Sequence, residues 1–229
     1  MILAIIPARG GSKRIRNKNI KKFFGKPIIG YSIEQAKKSK MFNKIIVSTD
    51  SKKIAKISKK FGADVPFIRP KYLSGDKIMP IHVIEHSIKW CETNIAKVDL
   101  VCVIYPTAPM IDQKDLKSSF KKIKKGTFDY VFSAKQFNYP VQRSFYKRNG
   151  STKMLFKKNY KRRSQDLEKV YHDAGQFYWG KKKAWLSKKD IFGKKSTVHL
   201  INYLNSHDVD TNEDWNILKK LYKLKSKND

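Results

Sequence analysis

The sequence predicts an α/β fold in which a mainly parallel, Rossmann-like sheet carries helices on both faces. Strand and helix patterns alternate over roughly the first 135 residues, as in a series of β-α-β units. The first predicted strand, Ile2–Pro7, is apolar almost throughout, as expected of a parallel strand that is buried on both faces. With 229 residues, the chain suits one domain that can bury a full core.

Capping and turn residues mark the ends of the predicted elements. Asp50 or Ser51 precedes the second helix, Gly62 ends it, and Thr211 precedes the last helix. Pro27 suits the first turn of the first helix, whose apolar residues recur at helical spacing. The predicted strands are Ile2–Pro7, 44–49, 65–68, 99–105 and 128–135, and the predicted helices are 28–38, 52–61, 80–93, 112–125 and one from 212.

The alternation of strands and helices breaks after Pro140. Apolar residues alternate over 144–156 around Asn149-Gly150, which is a strong hairpin signal. No repeat or low-complexity linker divides the chain. We therefore predict a single domain, 1–229, with an inserted segment at about 138–180.

The composition excludes several classes of protein. Two cysteines make neither a disulfide framework nor a zinc site, which fits a reducing, cytoplasmic compartment. No apolar run approaches the ~20 residues that span a membrane, and the chain start lacks the pattern of a signal peptide. We expect a cytoplasmic protein without a membrane partner.

The net charge of +32 raises a basic nucleic-acid-binding protein as an alternative. Only eight of the 51 basic residues are arginines, however, and the lysines are spread over every predicted helix. Proteins that read base edges depend on arginine. We therefore expect a solvated coat of lysine and no dedicated nucleic-acid partner.

The loop after the first strand, A-R-G-G-S-K-R-I-R-N-K over 8–18, concentrates basic residues. Glycines let backbone N–H groups approach a phosphate, and basic side chains neutralise its charge. The spacing fits neither G-x-x-x-x-G-K-[ST] nor G-x-G-x-x-G. An ordinary turn with solvated charges is the alternative, but ligands of such sheets bind at the carboxyl ends of the strands. The loop therefore favours a polyphosphate site.

Two carboxylates, Asp208 and Asp210, are separated by one residue in D-V-D-T. In an extended segment both point to one side, so that together they could hold one Mg²⁺ near phosphates. The alternative is that Asp210 and Thr211 only begin the last helix. The pattern is weak by itself but gains weight in a chain with 19 acidic residues against 51 basic ones.

Residues 162–180 combine polar and aromatic side chains. Aromatic faces cover the C–H surface of a sugar while polar groups bind its hydroxyls and amides, so the mixture is typical of a sugar site. A dimer contact or a crossover strand would use the same residues for packing. The residues concerned are Arg163, Gln165, Asp166, Tyr171, His172, Asp173, Gln176, Tyr178 and Trp179.

Taken together, the motifs resemble those of the CMP-acylneuraminate synthetases, which activate sialic-type (nonulosonic) acids with CTP. I-P-A-R-G-G-S-K, K-N, V-S-T-D, R-P, Y-P-T-A-P and D-V-D-T-x-E-D-W occur in this order over nearly the whole chain. The resemblance implies a nucleotidyltransferase fold and a homodimer. The inserted segment at about 138–180 would then serve dimerisation and sugar binding.

The resemblance also implies roles for individual residues. Arg9, Lys13 and Asp210 would be catalytic, and Asp208 with Asp210 would bind the cofactor Mg²⁺. The CTP site would comprise Ala8, Arg9, Gly10, Gly11, Ser12, Lys13, Lys18, Asn19 and Arg69. The site for the sugar acid would comprise Tyr105, Arg163, Gln165, Tyr171, His172, Asp173, Gln176, Phe177 and Tyr178.

Two departures from the sialic acid members bear on the substrate. Where those members carry Q-P-T-S-P this chain has Y-P-T-A-P from Tyr105, and where they carry N-G-x-x-Y it has D-A-G-Q-F from Asp173. The run R-S-Q-D-L-E-K-V-Y-H-D-A-G-Q-F-Y-W is similar to that of members that activate pseudaminic acid for flagellin or surface glycosylation. The resemblance therefore implies transfer of CMP from CTP to pseudaminic acid, with N-acetylneuraminate or legionaminate as the alternative acceptor.

Overall fold

The computed structural model describes residues 1–228, so that only the last residue of the predicted domain, 229, lies outside the described residues. The strands are β1 (Ile2–Pro7), β2 (Lys22–Phe23), β3 (Lys26–Pro27), β4 (Lys44–Ser48), β5 (Leu100–Ile104), β6 (Tyr130–Gln136), β7 (Phe145–Arg148), β8 (Ser151–Met154), β9 (Tyr171–Lys181) and β10 (Ser196–Leu200). The helices are α1 (Ile28–Ser39), α2 (Lys52–Lys60), α3 (Pro80–Asn94), α4 (Gln113–Lys124), α5 (Lys182–Leu186) and α6 (Asn212–Asn228).

Local sequence signals set the ends of the helices as predicted. At the start of α2, Ser51 Oγ accepts the backbone N–H of Ile54 at 3.4 Å. After its end, Gly62 adopts φ +85°, the left-handed conformation that favours glycine. At the start of α6, Thr211 Oγ1 accepts the backbone N–H of Asp214 at 3.1 Å.

Six strands form the central sheet in the order β10-β6-β9-β5-β1-β4. Strand β1 pairs in parallel with β4 and β5, and β6 pairs in parallel with β10. Strand β9 runs antiparallel between β5 and β6. The predicted mainly parallel sheet is confirmed, with one antiparallel strand at its centre.

Helices cover both faces of this sheet. On one face Ile33 of α1 and Leu116 of α4 are fully buried against the strands. On the other face Ile84 and Ile88 of α3 pack with Trp185 of α5. Within residues 1–228, none of the helices combines the length and the apolar character that crossing a membrane requires.

A third apolar cluster joins the C-terminal helix to the loop that follows β1. Trp215 of α6 packs edge to face on Phe23, with ring centroids 5.6 Å apart. Ile15 from the basic loop and Val209 from the D-V-D segment are buried in the same cluster. The basic loop and the D-V-D segment are therefore both anchored in this apolar cluster.

The predicted strand at 65–68 does not form a continuous ladder. Only isolated bridges, Ile46 with Asp64 and Thr49 with Ile68, join this segment to the edge of the sheet. Pro66 lies between those bridges and has no N–H to donate. The segment follows the edge of β4 without becoming a seventh strand.

The C-terminal boundary of the inserted segment is a second correction. The sequence prediction extends it to about 180, whereas residues 171–181 form β9 in the centre of the sheet. The part outside the sheet is therefore 137–170, and it contains the predicted hairpin of β7 and β8. The two turn residues of that hairpin, Asn149 and Gly150, have φ +48° and +78°, as a type I′ turn requires.

Candidate active site

A cleft of about 480 Å³ opens at the edge of the sheet where the parallel strands end. Pro7 at the end of β1 and Tyr105 directly after β5 contribute to its walls. In open α/β sheets this edge is the usual position of a ligand site. The charged residues that line the cleft are Arg9, Lys13, Arg14, Lys18, Arg69, Asp76, Asp208 and Asp210.

The glycines of the basic loop allow a close approach of the chain after β4. The N–H of Gly10 donates to Asp50 Oδ1 at 2.7 Å, and a Cβ on Gly10 would lie 3.1 Å from Ser51 Cβ. The loop continues into a short 3₁₀ turn, Lys18–Ile20, and α1 begins only at Ile28. No helix N-terminus of the described chain therefore directly follows the glycines, and the basic side chains carry most of the positive charge.

Arg9 and Lys13 from this loop converge on one carboxylate. Arg9 Nη1 donates to Asp76 Oδ1, and Lys13 Nζ lies 2.5 Å from Asp76 Oδ2. Hydrogen bonds from Lys13 and then Arg9 hold the pKa of Asp76 below its usual value. The two predicted phosphate ligands and Asp76 thus form a compact charged group at the mouth of the cleft.

Arg69 and Asn19 are more deeply placed than the other polar residues of the cleft. Arg69 is only 5% exposed, and its Nε and Nη2 donate to Ser48 at the end of β4. Burial lowers the pKa of Arg69 to about 10, so that the guanidinium stays charged at neutral pH. Asn19 Nδ2 donates to the carbonyl of Arg9 at 2.9 Å. These contacts fix both side chains against the wall of the cleft.

Asp208 and Asp210 also line the cleft, on either side of Val209, which is buried. Lys18 Nζ donates to the carbonyl of Val209 at 2.6 Å and lies 3.5 Å from Asp210 Oδ1. Arg14 Nη2 lies 2.8 Å from the same carboxylate oxygen. The basic loop is therefore joined to the D-V-D segment by direct polar contacts.

Asp214 holds this segment in place from the first turn of α6. Its Oδ2 accepts the N–H of Asp210 at 3.0 Å and both the N–H and the hydroxyl of Thr211 at 2.8 Å. With the N–H of Asp214 donating back to Thr211 Oγ1, the pair forms a reciprocal cap. The helix start and the paired carboxylates are thus one structural unit: the predicted cap at Thr211 is confirmed, and the metal site stays a prediction.

The two carboxylates fit a magnesium ion that arrives with a polyphosphate. Among residues 1–228 no three His, Cys, Asp or Glu side chains cluster as a complete metal site. Mg²⁺ is usually held by one or two carboxylates, with substrate phosphates and water completing its octahedron. Asp208 and Asp210 both line the cleft and match that incomplete donor set.

A second, apolar pocket of about 270 Å³ adjoins the cleft at Tyr105 and Pro80. Its polar group is a pair in which the Tyr178 hydroxyl donates to Asp173 Oδ2. Burial raises the pKa of Tyr178 above its usual value, so that its hydroxyl stays protonated. The apolar lining residues are Met79, Pro80, Ile81, Ile84, Val103, Trp185, Ile191 and Phe192.

A β-bulge brings Asp173 and Tyr178 together. Residues five apart on a regular strand point to opposite faces, because side chains alternate. The register of β9 against β6 shifts between Phe132 and Ala134, and Gly175 adopts φ +60° at this point. Five residue steps on β9, from Asp173 to Tyr178, lie opposite two steps on β6, and the three extra residues restore both side chains to one face, as bulges beside active sites often do.

The other predicted sugar residues are scattered. Phe177 is fully buried in the core against the α1 and α4 face, because it alternates with Tyr178, so it belongs to the core rather than to the predicted sugar site. Gln176 is 3% exposed and donates from Nε2 to the carbonyl of Asn205. His172 packs against Phe137 in a tilted arrangement, with ring centroids 4.7 Å apart.

Arg163, Gln165 and Tyr171 are exposed and line neither the cleft nor the apolar pocket. Arg163 pairs with Asp166 at 2.7 Å, within its own 3₁₀ turn. Of the predicted CTP residues, Ala8 is buried behind the loop and Gly11 is exposed. The structure therefore gathers Arg9, Ser12, Lys13, Lys18, Asn19, Arg69, Tyr105, Asp208 and Asp210 around one cleft.

Sequence reasoning missed three residues that shape the cleft. Asp76 lies in an irregular segment before α3, with no local pattern that marks it. Asp50 follows the predicted strand at 44–49, and this position could have indicated its contact with Gly10. Lys135, at the end of β6, donates to the carbonyl of Ser206 at 3.1 Å and supports the chain before Asp208.

The fold and this cleft define the class of nucleotidyltransferases, with a basic loop and two carboxylates at the carboxyl edge of a Rossmann-like sheet. The model of the family described as "Cytidylyltransferase" matches residues 3–229, and the chain belongs to this family. It is 43% identical over 223 residues to the pseudaminic acid cytidylyltransferase of Campylobacter jejuni, covering 97% of this chain and 96% of that protein.

Two further comparisons agree with this membership. The chain is 32% identical over 231 residues to the CMP-N,N'-diacetyllegionaminic acid synthase of Legionella pneumophila, covering 97% of each. The structure also superimposes on CMP:2-keto-3-deoxy-manno-octonic acid synthetase complexed with CTP, with a TM-score of 0.70 at 14% identity over 98% and 99% of the two chains. At that identity the superposition shows a common fold.

Replacing Asp214 by Asn is expected to make the free energy of unfolding depend less on pH in the acid range. Hydrogen bonds, chiefly from Thr211, lower the pKa of Asp214 to about 2, against about 3.9 in an unfolded chain. Because the folded pKa is depressed, this stabilisation is complete above about pH 4 and is lost as the pH falls through about 2. With solvent screening allowed for, the wild type should lose about 1 kcal/mol more than Asp214→Asn over that range.

Urea unfolding midpoints of both proteins between about pH 5 and pH 2 measure this difference. Glu213→Gln changes an exposed neighbour in the same helical turn and serves as the control. It should lose as much stability at low pH as the wild type does. If wild type and Asp214→Asn lose stability in parallel, the carboxylate does not hold the D-V-D segment as described.

Proposed function

We propose that the protein is a pseudaminic acid cytidylyltransferase, which transfers CMP from CTP to the anomeric hydroxyl of pseudaminic acid and releases pyrophosphate. The observation that carries this proposal is the 43% identity to the Campylobacter jejuni enzyme, which extends over almost all of both chains. The lower identity to the legionaminic acid synthase makes that sugar acid the alternative acceptor.

The basic loop supplies the cations that the triphosphate of CTP needs. Arg9, Lys13 and Lys18 all line the cleft beside the end of β1. A phosphoryl transfer of this kind depends on positioning and charge neutralisation more than on covalent catalysis by the protein. We assign Arg9 and Lys13 to stabilising the negative charge that develops on the departing pyrophosphate.

Asn19 and Arg69 are the proposed contacts of the cytidine. Both are nearly buried, at 6% and 5% exposure, and both line the cleft. Their hydrogen bonds to Arg9 and Ser48 orient them before any ligand arrives. Such pre-orientation lowers the entropic cost of ordering a binding site.

Asp208 and Asp210 are the proposed ligands of Mg²⁺. The ion, when bound with CTP, would neutralise phosphate charge and make the α-phosphorus easier to attack. Lys18 and Arg14 keep the Asp210 carboxylate oriented toward the cleft. In the transfer, the anomeric oxygen forms the new bond to the α-phosphorus and gives up its proton to water, and the bond from that phosphorus to the pyrophosphate oxygen breaks.

The apolar pocket beside Tyr105 is the proposed position of the sugar acid. Pseudaminic acid carries acylamino groups and a terminal methyl group, and the walls of the pocket are mainly aliphatic and aromatic. Asp173, with one oxygen on the Tyr178 hydroxyl, is an acceptor suited to an amide N–H. The predicted sugar contacts of Arg163, Gln165, Tyr171, His172 and Gln176 stay predictions.

A panel of acceptors tests the proposed function. Purified protein is mixed with CTP, Mg²⁺ and one sugar acid, and pyrophosphate release is measured. We expect release with pseudaminic acid and at least about tenfold less with N-acetylneuraminate or legionaminate, since unpaired polar groups and misplaced acyl groups weaken transition-state binding. Release with legionaminate alone would reassign the acceptor. No release with any sugar, together with salt-sensitive RNA binding, would favour the nucleic-acid alternative.

Asp210→Asn is expected to lower turnover by about a hundredfold or more, because it removes a charge from the proposed metal site while keeping the shape of the side chain. Calorimetric titration with CTP adds a second measurement: Mg²⁺ should strengthen CTP binding to the wild type and not to Asp210→Asn. The control is Glu213→Gln, three residues along the chain. If Asp210→Asn turned over substrate at nearly the wild-type rate, the metal role of Asp210 would be excluded.

We further propose that the protein is a homodimer formed through residues 137–170. The β7–β8 hairpin is exposed on both faces, and an isolated two-stranded hairpin is only marginally stable in water. Tyr139, Phe145 and Tyr160 are 84%, 60% and 65% exposed. A concentration of exposed aromatic rings of this kind marks an interaction surface.

Sedimentation velocity tests the dimer. Phe145→Lys combined with Tyr160→Lys is expected to convert a dimer into a monomer, because the charges would be buried at the interface. Tyr72→Lys changes an equally exposed ring outside the segment and should leave the dimer intact. A wild-type monomer at micromolar concentration would overturn the proposal.

Flagellin or surface glycosylation as the fate of the product, and the cytoplasm as the location of the protein, stay predictions from the sequence.

A further inference from the structure

The carboxylate of Asp76 contacts both of the cations that the proposed function assigns to the departing pyrophosphate, Arg9 and Lys13. One oxygen accepts from Arg9 and the other lies 2.5 Å from Lys13 Nζ. Two negatively charged oxygens held between an arginine and a lysine use the same donors that would bind the oxygens of a phosphate group. The side chain lines the cleft from within the same molecule.

The segment 74–79 that carries Asp76 is tied to the rest of the protein through these contacts. Its backbone bonds are local: Ser74 N–H donates to the carbonyl of Lys71 and Ile78 N–H to that of Gly75. Within the part of the chain that the structure describes, the ion pairs of Asp76 are the polar contacts that join 74–79 to anything outside residues 70–82. The segment 74–79 therefore lines the cleft as a strap whose polar attachment is at Asp76.

We propose that Asp76 is a built-in competitor of the phosphates: it holds Arg9 and Lys13 in the empty cleft, yields them to CTP, and reclaims them as pyrophosphate leaves. This inference rests on the proposed function, in which the two cations bind the triphosphate. It adds that the strap must be released for the triphosphate to bind. Asp76 thus acts on ligand exchange rather than on the reacting atoms.

The exposure of the contact makes this exchange feasible. The Lys13 side chain is 82% exposed and that of Asp76 is 39% exposed, so water screens their attraction. A triphosphate with an accompanying cation offers more charge and more acceptor oxygens than one carboxylate. The lowered pKa of Asp76 keeps the carboxylate charged at neutral pH, so the competition is always present.

The competition by Asp76 acts on the product, pyrophosphate, as well as on the substrate, CTP. Pyrophosphate that has been cut from CTP no longer gains from the contacts of the cytidine with Asn19 and Arg69. Asp76 then competes with a ligand that is held by the phosphate cations alone. Because either ligand must displace the same carboxylate, Asp76 lowers the affinity of both by the same factor, and pyrophosphate, without the contacts of the cytidine, is left with the weaker binding and the faster release.

The test is equilibrium binding of pyrophosphate and of CTP, each with Mg²⁺ and without sugar, to wild type and to Asp76→Asn by isothermal titration calorimetry. The substitution keeps the shape of the side chain and removes its charge. We expect pyrophosphate to bind about tenfold more tightly to Asp76→Asn, and CTP to gain as well. Product inhibition by pyrophosphate should strengthen by a similar factor, and the KM for CTP should fall.

Two further variants make the outcome specific. Asp64→Asn removes the same charge from an exposed lysine pair outside the cleft, that with Lys44 at 3.3 Å, and should bind pyrophosphate like the wild type. Asp76→Glu keeps the charge and should restore most of the competition. Unchanged or weaker pyrophosphate binding by Asp76→Asn, with a normal thermal melt, would overturn the inference.

The binding measurement is independent of turnover, so the two proposals fail separately. If the wild type forms a CMP-sugar but Asp76→Asn binds pyrophosphate no more tightly, the strap is wrong and the proposed function stands. If Asp76→Asn gains pyrophosphate affinity but no sugar acid releases pyrophosphate with the wild type, the competitor role stands and the proposed acceptor is wrong.

Discussion

The cleft depends on the burial of one aliphatic side chain, Val209, between two carboxylates. Val209 is fully buried with Ile15 and Trp215, and burying a side chain of this size contributes about 1.5 kcal/mol or more. Since alternate residues of an extended segment face opposite ways, Asp208 and Asp210 then turn to the cleft. Because Ile15 belongs to the basic loop, the same apolar contact places the cations opposite the carboxylates.

The antiparallel strand at the centre of the sheet gives the cleft its second compartment. A parallel strand would enter the sheet at the opposite edge, whereas β9 enters at the edge where β5 and β6 end. Its first residues therefore lie beside Tyr105, whose N–H donates to the carbonyl of Gln176 at 2.9 Å. The bulge at Gly175 then sets Asp173 and Tyr178 on the same face. Nucleotide cleft and apolar pocket share Tyr105 for this reason.

The charge of the cleft differs from that of the whole chain. The net charge of +32 comes mostly from exposed lysines, which water and salt screen. Inside the cleft, Arg9 and Lys13 meet Asp76, while Arg14 and Lys18 meet Asp210. Each of these four cations contacts a carboxylate. Under the proposed function, a polyphosphate with its metal ion would displace these carboxylates more readily than a small anion would.

The sequence by itself determined the local elements and the chemistry of the cleft. Apolar runs and caps such as Ser51 and Thr211 predicted most strands and helices, because these signals act within a few residues of each other. Tertiary structure decided two features that depend on distant pairing. One is the place of β9 in the sheet, which its sequence does not reveal because a strand buried on both faces lacks an alternating pattern. The other is the contact of Asp76 with Arg9, 67 residues away. No local pattern carries such information, because a salt bridge or a strand pair forms only after the chain has brought its two halves together.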